Sequence, residues 1–252
     1  MAKIAIIGGS GLEKSSHIES VTVREVNTKW GAPSSPITEG VLNGVPVAFL
    51  SRHGFDHSIT PSHVNNRANI AALKEIGCTH ILSSTAVGSL REEIHPGHLV
   101  IPDQFIDFTK QRVCTYYDDF KDGIKHISVA DPFNEALRQD IIHVCEKLKF
   151  EHHTTATVVT IEGPRFSTRA ESQMFRILGA DIINMSIAPE AVLAAELGIP
   201  YATIAMSTDY DAWRVNIEPV SWEEIKQVME QNTQKVQQVF AEVVSLIASH
   251  NK

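Results

Sequence analysis

The sequence predicts an α/β fold around a mainly parallel sheet, and two patterns along the chain support this prediction. Short apolar runs rich in isoleucine and valine recur, as expected for buried strands, and segments with helical spacing separate several of them. The predicted strands are 4–7, 45–50, 80–83, 99–101, 157–161, 181–184 and 201–205. The predicted helices are 64–76, 132–148, 167–178 and 189–197. Because alternating strands and helices form parallel sheets, we expect ligands beyond the carboxyl ends of the strands.

The last part of the sequence predicts a further helix on the surface. Ser221 and Glu224 have the S-x-x-E spacing of a capping box, which indicates that a helix begins there. Apolar residues then recur at helical intervals as far as Ile247, with glutamate, glutamine and lysine between them. The pattern is typical of an amphipathic helix and assigns it no catalytic role.

Composition limits the class of protein. The 252 residues contain no linker-like stretch, which predicts a single domain over 1–252. The net charge of -8 disfavours nucleic acid and anionic membranes as partners, because either would repel such a surface. Three cysteines without metal-site spacing or disulfide-scaffold density favour a reducing, cytoplasmic setting. The first residues lack the pattern of a signal peptide, and no run approaches the roughly 20 apolar residues of a membrane span.

Three predicted strand ends carry groups suited to an anion. The first leads into Gly8-Gly9-Ser10-Gly11, where backbone N–H groups and a hydroxyl can approach phosphate, although a tight turn is an equal alternative. The second is followed by Arg52 and His53, for which a solvated surface arginine is the alternative. The third leads into the hydroxyl-rich segment 83–89. Together the three could enclose one phosphate.

The twelve histidines do not indicate a metal site. His53 and His57 are four residues apart, but Gly54 lies between them and no HExxH sequence occurs, which disfavours a helical zinc pair. No GxSxG sequence supports a serine hydrolase. We therefore expect no metal.

A predicted strand leads into Asp209 and Asp211, two acids separated by one residue. Alternation along an extended chain would place both carboxylates on one side. An equal alternative is that they serve as a helix cap and a turn residue. Paired carboxylates can raise the pKa of one member, which produces the neutral acid that a leaving group needs.

Ordered blocks over nearly the whole chain resemble the methylthioadenosine phosphorylases, within the trimeric purine nucleoside phosphorylase family. They are IIGGSGL (6–12), RHG (52–54), GCTHI (77–81), TAVGSLREEI (85–94), DQFID (103–107), TIEGPRFSTRAES (160–172), GADIINMS (179–186), APE (188–190) and MSTDYDAW (206–213). The resemblance implies a three-layer phosphorylase/hydrolase-like fold with a central mixed, mainly parallel sheet flanked by helices. It also implies a homotrimer, with a hexamer as the alternative, in which some side chains reach a neighbour's site.

The resemblance implies two sets of site residues, with inorganic phosphate as co-substrate and no cofactor. The phosphate set is Ser10, Arg52, His53, Thr85, Ala86 and Ser186. The nucleoside set is Phe166, Ser167, Ile183, Asn184, Met185, Asp209, Asp211, His57, His126, Trp222 and Ile225. In this set Met185 would lie under the ribose, and His57 and His126 near its 5′ end.

The implied chemistry is cleavage of a 6-aminopurine from its ribose. Asp209 would be the catalytic acid that protonates purine N7, and Asp211 would accept from the 6-amino group. Relatives that prefer 6-oxopurines carry a glutamate soon after the GP of EGP, where this chain has Ser167. The alternatives are a phosphorylase that prefers 6-oxopurines, a hydrolytic nucleosidase, and a nucleoside-binding protein without activity.

Two departures from the family concern the 5′ group of the substrate. Trp222 stands where relatives commonly carry small aliphatic residues that hold the methylthio group, with Ile225 one turn further along. The chain also reaches Lys252 soon after the last predicted helix. A tryptophan there would narrow the pocket for the 5′ group, and adenosine is therefore an alternative substrate. The resemblance still makes methylthioadenosine the expected one.

Overall fold

The computed structural model describes residues 2–8, 18–121, 123–214 and 222–250, and in the last range it describes side chains from residue 227 onward. These residues form one sheet of eleven strands and five α-helices. The strands are β1 (Ile4–Gly8), β2 (Ile18–Arg24), β3 (Ile37–Leu42), β4 (Val45–Ser51), β5 (His80–Ser89), β6 (Leu99–Val100), β7 (Gln104–Phe108), β8 (His152–His153), β9 (Thr157–Ile161), β10 (Ile182–Asn184) and β11 (Tyr201–Tyr210). The helices are α1 (Asn66–Glu75), α2 (Glu135–Leu148), α3 (Arg169–Ile177), α4 (Ile187–Glu196) and α5 (Trp222–His250).

The sheet is mixed and mainly parallel, which confirms the predicted fold class. The strand order is β2-β3-β4-β1-β5-β10-β9-β7, while β11 pairs with β5 and β6, and β8 pairs with β6. β4, β1, β5 and β11 run parallel to one another, whereas β10 runs antiparallel to β5. Because Ile183 of β10 lies opposite Gly88, the carboxyl end of β10 reaches the interior of β5. This arrangement brings the ends of strands from both directions to one place.

Helices cover both faces of the sheet and give three layers. On β1, Ala5 and Ile7 pack in one cluster with α1 and α4, whereas Ile4 and Ile6 pack in a second cluster with α2 and α5. Side chains that alternate between two faces, both buried, are what a strand in the middle of such a sheet requires. No helix in the described part of the chain has the length and apolar character needed to cross a membrane.

Several predicted bounds are wrong, for identifiable reasons. β5 continues to Ser89 because β11 pairs with it from Ile81 onward, so the small residues after Ser83 lie within a strand and not beyond its end. The apolar pattern does not predict β2, β3, β7 or β8; β2, for example, faces solvent along most of its length. The predicted cap at Ser221 lies outside the described residues. A capping box that the patterns do not predict joins Thr168 and Glu171 at the start of α3.

Candidate active site

A cavity of about 790 Å³ lies where β4, β5, β10 and β11 converge. The predicted site residues that line it are Arg52, His53, His57, Thr85, Ala86, Phe166, Ser167, Ile183, Asn184, Met185, Ser186, Asp209 and Asp211. The volume is within the range of small-molecule sites. Residues of two sequence-distant sets, one suited to an anion and one to a base, therefore face the same space.

The anion-suited end of the cavity, here called the phosphate end, is centred on Arg52. Its guanidinium is buried and forms a two-armed ion pair with Glu190, with Nε 2.5 Å from Oε1 and Nη2 3.0 Å from Oε2. Nη2 also donates to the Ser83 hydroxyl at 2.8 Å, and Nη1 donates to the Ser84 carbonyl at 2.9 Å. Burial lowers the pKa of Arg52, but the charge and hydrogen bonds of Glu190 raise it more. The arginine is thus a fixed cation and not a solvated surface residue.

Hydroxyl groups from two strands meet beside Arg52. Thr85 Oγ1 in β5 lies 3.1 Å from the Oγ of Ser186, which follows β10. The Asn184 amide donates to Thr85 Oγ1 at 3.4 Å and accepts from Thr160 at 2.8 Å. α4 begins directly after Ser186, and its positive dipole end therefore lies at the same point. These groups offer an anion neutral donors.

His53 is a neutral imidazole with one defined tautomer. Its Nδ1 lies 2.8 Å from the Ile59 carbonyl, which can only accept, so Nδ1 carries the proton. Burial and the charge of Arg52 lower the pKa of His53 to about 4. At neutral pH its Nε2 is therefore unprotonated and can accept a hydrogen bond. Burial and Arg52 also lower the pKa of His57, whose ring lies 4.8 Å from that of His53.

The opposite end of the cavity, here called the base end, holds Asp209 and Asp211. A bulge in β11 between Ser207 and Asp209 places Asp209 opposite Gly88 of β5. A Cβ at Gly88 would lie 3.5 Å from Asp209 Oδ2 and 3.3 Å from the Asp211 Cβ, so both acids border this glycine. The close spacing predicted for the two acids in the sequence is thus present in the fold.

The two acids have different environments. Burial raises the pKa of Asp209 from 3.8 to about 6; a hydrogen bond of 2.7 Å from the Thr208 hydroxyl opposes the rise, and the charge of Asp211 adds to it. Burial also raises the pKa of Asp211, which the nearby hydroxyls of Ser172 and Ser167 oppose. Both hydroxyls are close enough to favour the charged carboxylate, but neither donates a hydrogen bond of normal geometry, and Asp211 Oδ2 has no such partner among the described residues. Asp209 can therefore exist as a neutral acid near physiological pH, and Asp211 has an unused acceptor.

Met185 lines the cavity and is held from two sides. The buried Arg112 donates to the Met185 carbonyl at 3.0 Å and to Glu162 Oε1 at 2.9 Å. Gly163, at φ +67°, lies against the Met185 side chain, and a Cβ there would overlap the sulfur. The ion pair of Arg112 and Glu162 therefore connects the loop after β7 to two loops of the cavity.

Four predicted site residues are not among those that line the cavity. Ser10 lies outside the described residues, as do the side chains of Trp222 and Ile225. His126 is exposed and its ring packs on Phe120, away from the cavity of its own chain. Within one chain the structure thus does not bring His126 to the nucleoside residues.

Sequence patterns missed other residues of this site. Glu190 and Arg112 act through residues that line the cavity, and Met206, Thr208, Met229, Thr233 and Val236 line it directly. A buried glutamate inside the apolar helix 187–196 is the one signal that could have indicated an ion pair, since buried carboxylates need partners. No group of three or more His, Cys, Asp or Glu side chains in the described part of the chain could hold a metal ion.

Comparison with known proteins identifies the family. The profile of the phosphorylase superfamily matches residues 3–245. S-methyl-5′-thioadenosine phosphorylase from Anopheles gambiae is 49% identical over 249 residues, which are 98% of this chain and 90% of that protein. The chain belongs to the methylthioadenosine phosphorylase family.

Solved structures of this family share the whole fold. A methylthioadenosine phosphorylase from an antarctic soil metagenomic library superposes with a TM-score of 0.94 at 46% identity, covering 100% of this chain and 88% of that one. A variant of the adenosine/methylthioadenosine phosphorylase from Schistosoma mansoni, in complex with methylthioadenosine, has a TM-score of 0.91 at 38% identity, covering 99% and 92%. The family resemblance seen in the sequence is therefore confirmed for both chain and fold.

Proposed function

We propose that this protein cleaves 5′-methylthioadenosine with inorganic phosphate, giving adenine and 5-methylthioribose 1-phosphate. One observation carries the proposal: a single cavity joins a set of anion-binding donors around Arg52 to a buried acid, Asp209, whose pKa is raised to about 6. The Schistosoma mansoni relative has a structure in complex with methylthioadenosine, and the relatives named above are methylthioadenosine phosphorylases.

Phosphate at the Arg52 end would stabilise the sugar during bond cleavage. Breaking an N-glycosidic bond leaves positive charge on the ribose and negative charge on the purine. An anion held below C1′ stabilises the sugar cation by its charge and is positioned to attack it. Arg52, Thr85 and Ser186 would donate to the phosphate oxygens, and His53 Nε2 would accept from a protonated one. Ser10 is proposed for the same set from the family resemblance.

Asp209 would stabilise the purine by giving N7 a proton. A neutral carboxyl can donate where a carboxylate cannot, and such a step is typically worth about 10² to 10⁴ in rate. Asp211 would accept a hydrogen bond from the 6-amino group, which provides the partner that its Oδ2 lacks among the described residues. This acceptor favours adenine over 6-oxopurines.

The choice between methylthioadenosine and adenosine depends on the part of the cavity next to α5. Met206, Met229 and Val236 line it with apolar surface. The Thr233 hydroxyl also lines this part, but its proton is already donated to the Met229 carbonyl of its own helix at 2.8 Å. Such a surface suits a methylthio group better than a hydroxyl. Adenosine is the second candidate, because the Schistosoma mansoni relative is named for both substrates.

Base release from methylthioadenosine, adenosine and inosine, each with and without phosphate, tests the proposal. We expect base release to require phosphate. We expect kcat/KM to decrease in the order methylthioadenosine, adenosine, inosine. Equal turnover without phosphate would instead indicate a hydrolytic nucleosidase. Binding of all three without release would indicate a nucleoside-binding protein.

The proposal includes a cytoplasmic homotrimer, which follows the family resemblance. Large apolar side chains are exposed in the single chain, among them Phe55, Phe120 and, at the cavity, Phe166. A second copy that covers them would remove this surface from water. Cys78, Cys114 and Cys145 are free thiols, as a reducing compartment would allow. Light scattering of the purified chain tests the oligomeric state.

A further inference from the structure

Arg52 and Glu190 form a closed ion pair at the phosphate end of the cavity. Arg52 has five N–H groups, and four of them are committed to Glu190, the Ser83 hydroxyl and the Ser84 carbonyl. When only the described residues are counted, one N–H on Nη1 has no partner and is free to donate to a ligand. Arg52, the cation of this site, therefore has a single N–H group to donate to a bound anion.

Glu190 is itself saturated and completely buried. Its Oε2 accepts from Arg52, from the Tyr201 hydroxyl at 2.8 Å and from the Ser83 hydroxyl at 3.3 Å, while Oε1 accepts from Arg52. The side chain has 0% exposure, compared with 4% for Arg52. The carboxylate is therefore held in place by its hydrogen bonds and is out of contact with water.

The phosphate end has no net positive charge among its described residues. Arg52 and Glu190 cancel each other, and His53 and His57, which also face this end, have lowered pKa values. Thr85 and Ser186 are uncharged donors. An anion is thus bound by directed hydrogen bonds and not by an excess of positive charge.

We propose that Glu190 is a positioning residue that competes with phosphate for the charge of Arg52 and thereby weakens the binding of phosphate and of the sugar phosphate product. The inference rests on the proposed function. Removing the carboxylate ends its repulsion of the bound anion and leaves a buried guanidinium that only the anion can neutralise. Both effects favour the anion. By linkage, the same change makes folding depend on phosphate.

The variant Glu190→Gln tests this, because glutamine preserves the shape and removes the charge. We expect the dissociation constant of inorganic phosphate, measured by calorimetry, to fall at least about tenfold. The inhibition constant of ribose 1-phosphate should fall in parallel, and kcat should decrease because the anionic product leaves more slowly. Phosphate should raise the Tm of this variant more than that of the wild type. A role confined to structural support would predict weaker binding of phosphate.

Two control variants separate charge from general damage. Glu196→Gln removes a carboxylate from the same helix, where it accepts from Thr115 and the Tyr116 backbone outside the cavity. Tyr201→Phe removes one donor to Glu190 without changing the charge. For both we expect a phosphate dissociation constant within about twofold of the wild type.

The outcomes distinguish this inference from the proposed function. A wild-type protein that binds no phosphate would contradict the proposed function itself. A wild type that binds phosphate, with a Glu190→Gln variant that binds it equally or more weakly, would overturn only the role of Glu190. A Glu190→Gln variant that stays unfolded in phosphate at a hundred times the wild-type dissociation constant would overturn it as well, because phosphate should replace the missing charge.

Discussion

The phosphate end and the base end of the cavity both hold ionisable side chains away from water, but they differ in how these side chains are paired. At the phosphate end, the guanidinium of Arg52 and the carboxylate of Glu190 satisfy each other. At the base end, burial raises the pKa of both acids, and Asp211 Oδ2 has no partner in the described part of the chain. The phosphate end is thus suited to holding an anion in place, and the base end to exchanging a proton and a hydrogen bond with a base.

A paired charge keeps its position and protonation state, whereas an unpaired buried acid is poised to change its state. The phosphate end is therefore preformed before any ligand arrives. The base end stays incomplete until a ligand supplies the missing donor. This difference predicts that changes at the two ends affect different measured quantities.

The largest expected effect on catalysis is at the base end. Asp209→Asn should lower kcat by about 10² or more, because an amide cannot transfer a proton to the leaving base. Binding of methylthioadenosine, measured without phosphate, should change by less than about tenfold. A variant with near-normal kcat would show that the acid lies elsewhere.

At the phosphate end the expected effect falls on stability and on phosphate. Arg52→Ala leaves Glu190 as an unpaired buried charge, which should cost about 3 to 5 kcal/mol of unfolding free energy. The KM for phosphate should rise more than the KM for the nucleoside. Arg165→Ala is a matched control, because its pair with Glu171 is exposed and should contribute at most about 1 kcal/mol. Equal losses in the two variants would contradict the comparison.

The pH dependence of the free energy of unfolding should reveal the buried acid of the base end. Because the pKa of Asp209 is raised from 3.8 to about 6, the folded state holds the proton more tightly, and the stability present below pH 4 is lost as the pH rises through 6. The loss amounts to about 3 kcal/mol at most. Asp209→Asn removes this titration, so its Tm relative to the wild type should increase between pH 4 and pH 7. A difference that stays constant over this window would indicate an ordinary pKa.

The smallest expected effect concerns the choice of base. A 6-oxo group leaves the Asp211 carboxylate unpaired, which should cost inosine about 1 to 3 kcal/mol relative to adenosine in kcat/KM. Asp211→Asn should narrow the gap, since an amide can donate to an oxygen. Adding Ser167→Glu would supply an acceptor for N1–H, although the longer side chain can overpack the site. A wild-type preference for inosine would contradict the assignment of both acids.

Several parts of this site could be predicted from the sequence. The apolar runs predict β4, which Arg52 follows, and the first parts of β5 and β11, because residues buried between helices are apolar. Thr85 and Asp209 lie in the later parts of β5 and β11, beyond the predicted bounds. The spacing of Asp209 and Asp211 predicts two neighbouring carboxylates, and both line one cavity. These features depend on residues that are close together in the chain, and a local sequence pattern can therefore predict them.

The tertiary structure alone decided how these residues are paired and protonated. Glu190 is 138 positions from Arg52, and Arg112 is 73 positions from Met185, so each contact depends on the order and register of the strands between them. The antiparallel entry of β10 into the middle of β5 places Ser186 against Thr85. The raised pKa of Asp209 follows from its burial. Burial and long-range pairing are properties of the packed fold, and no local periodicity contains them.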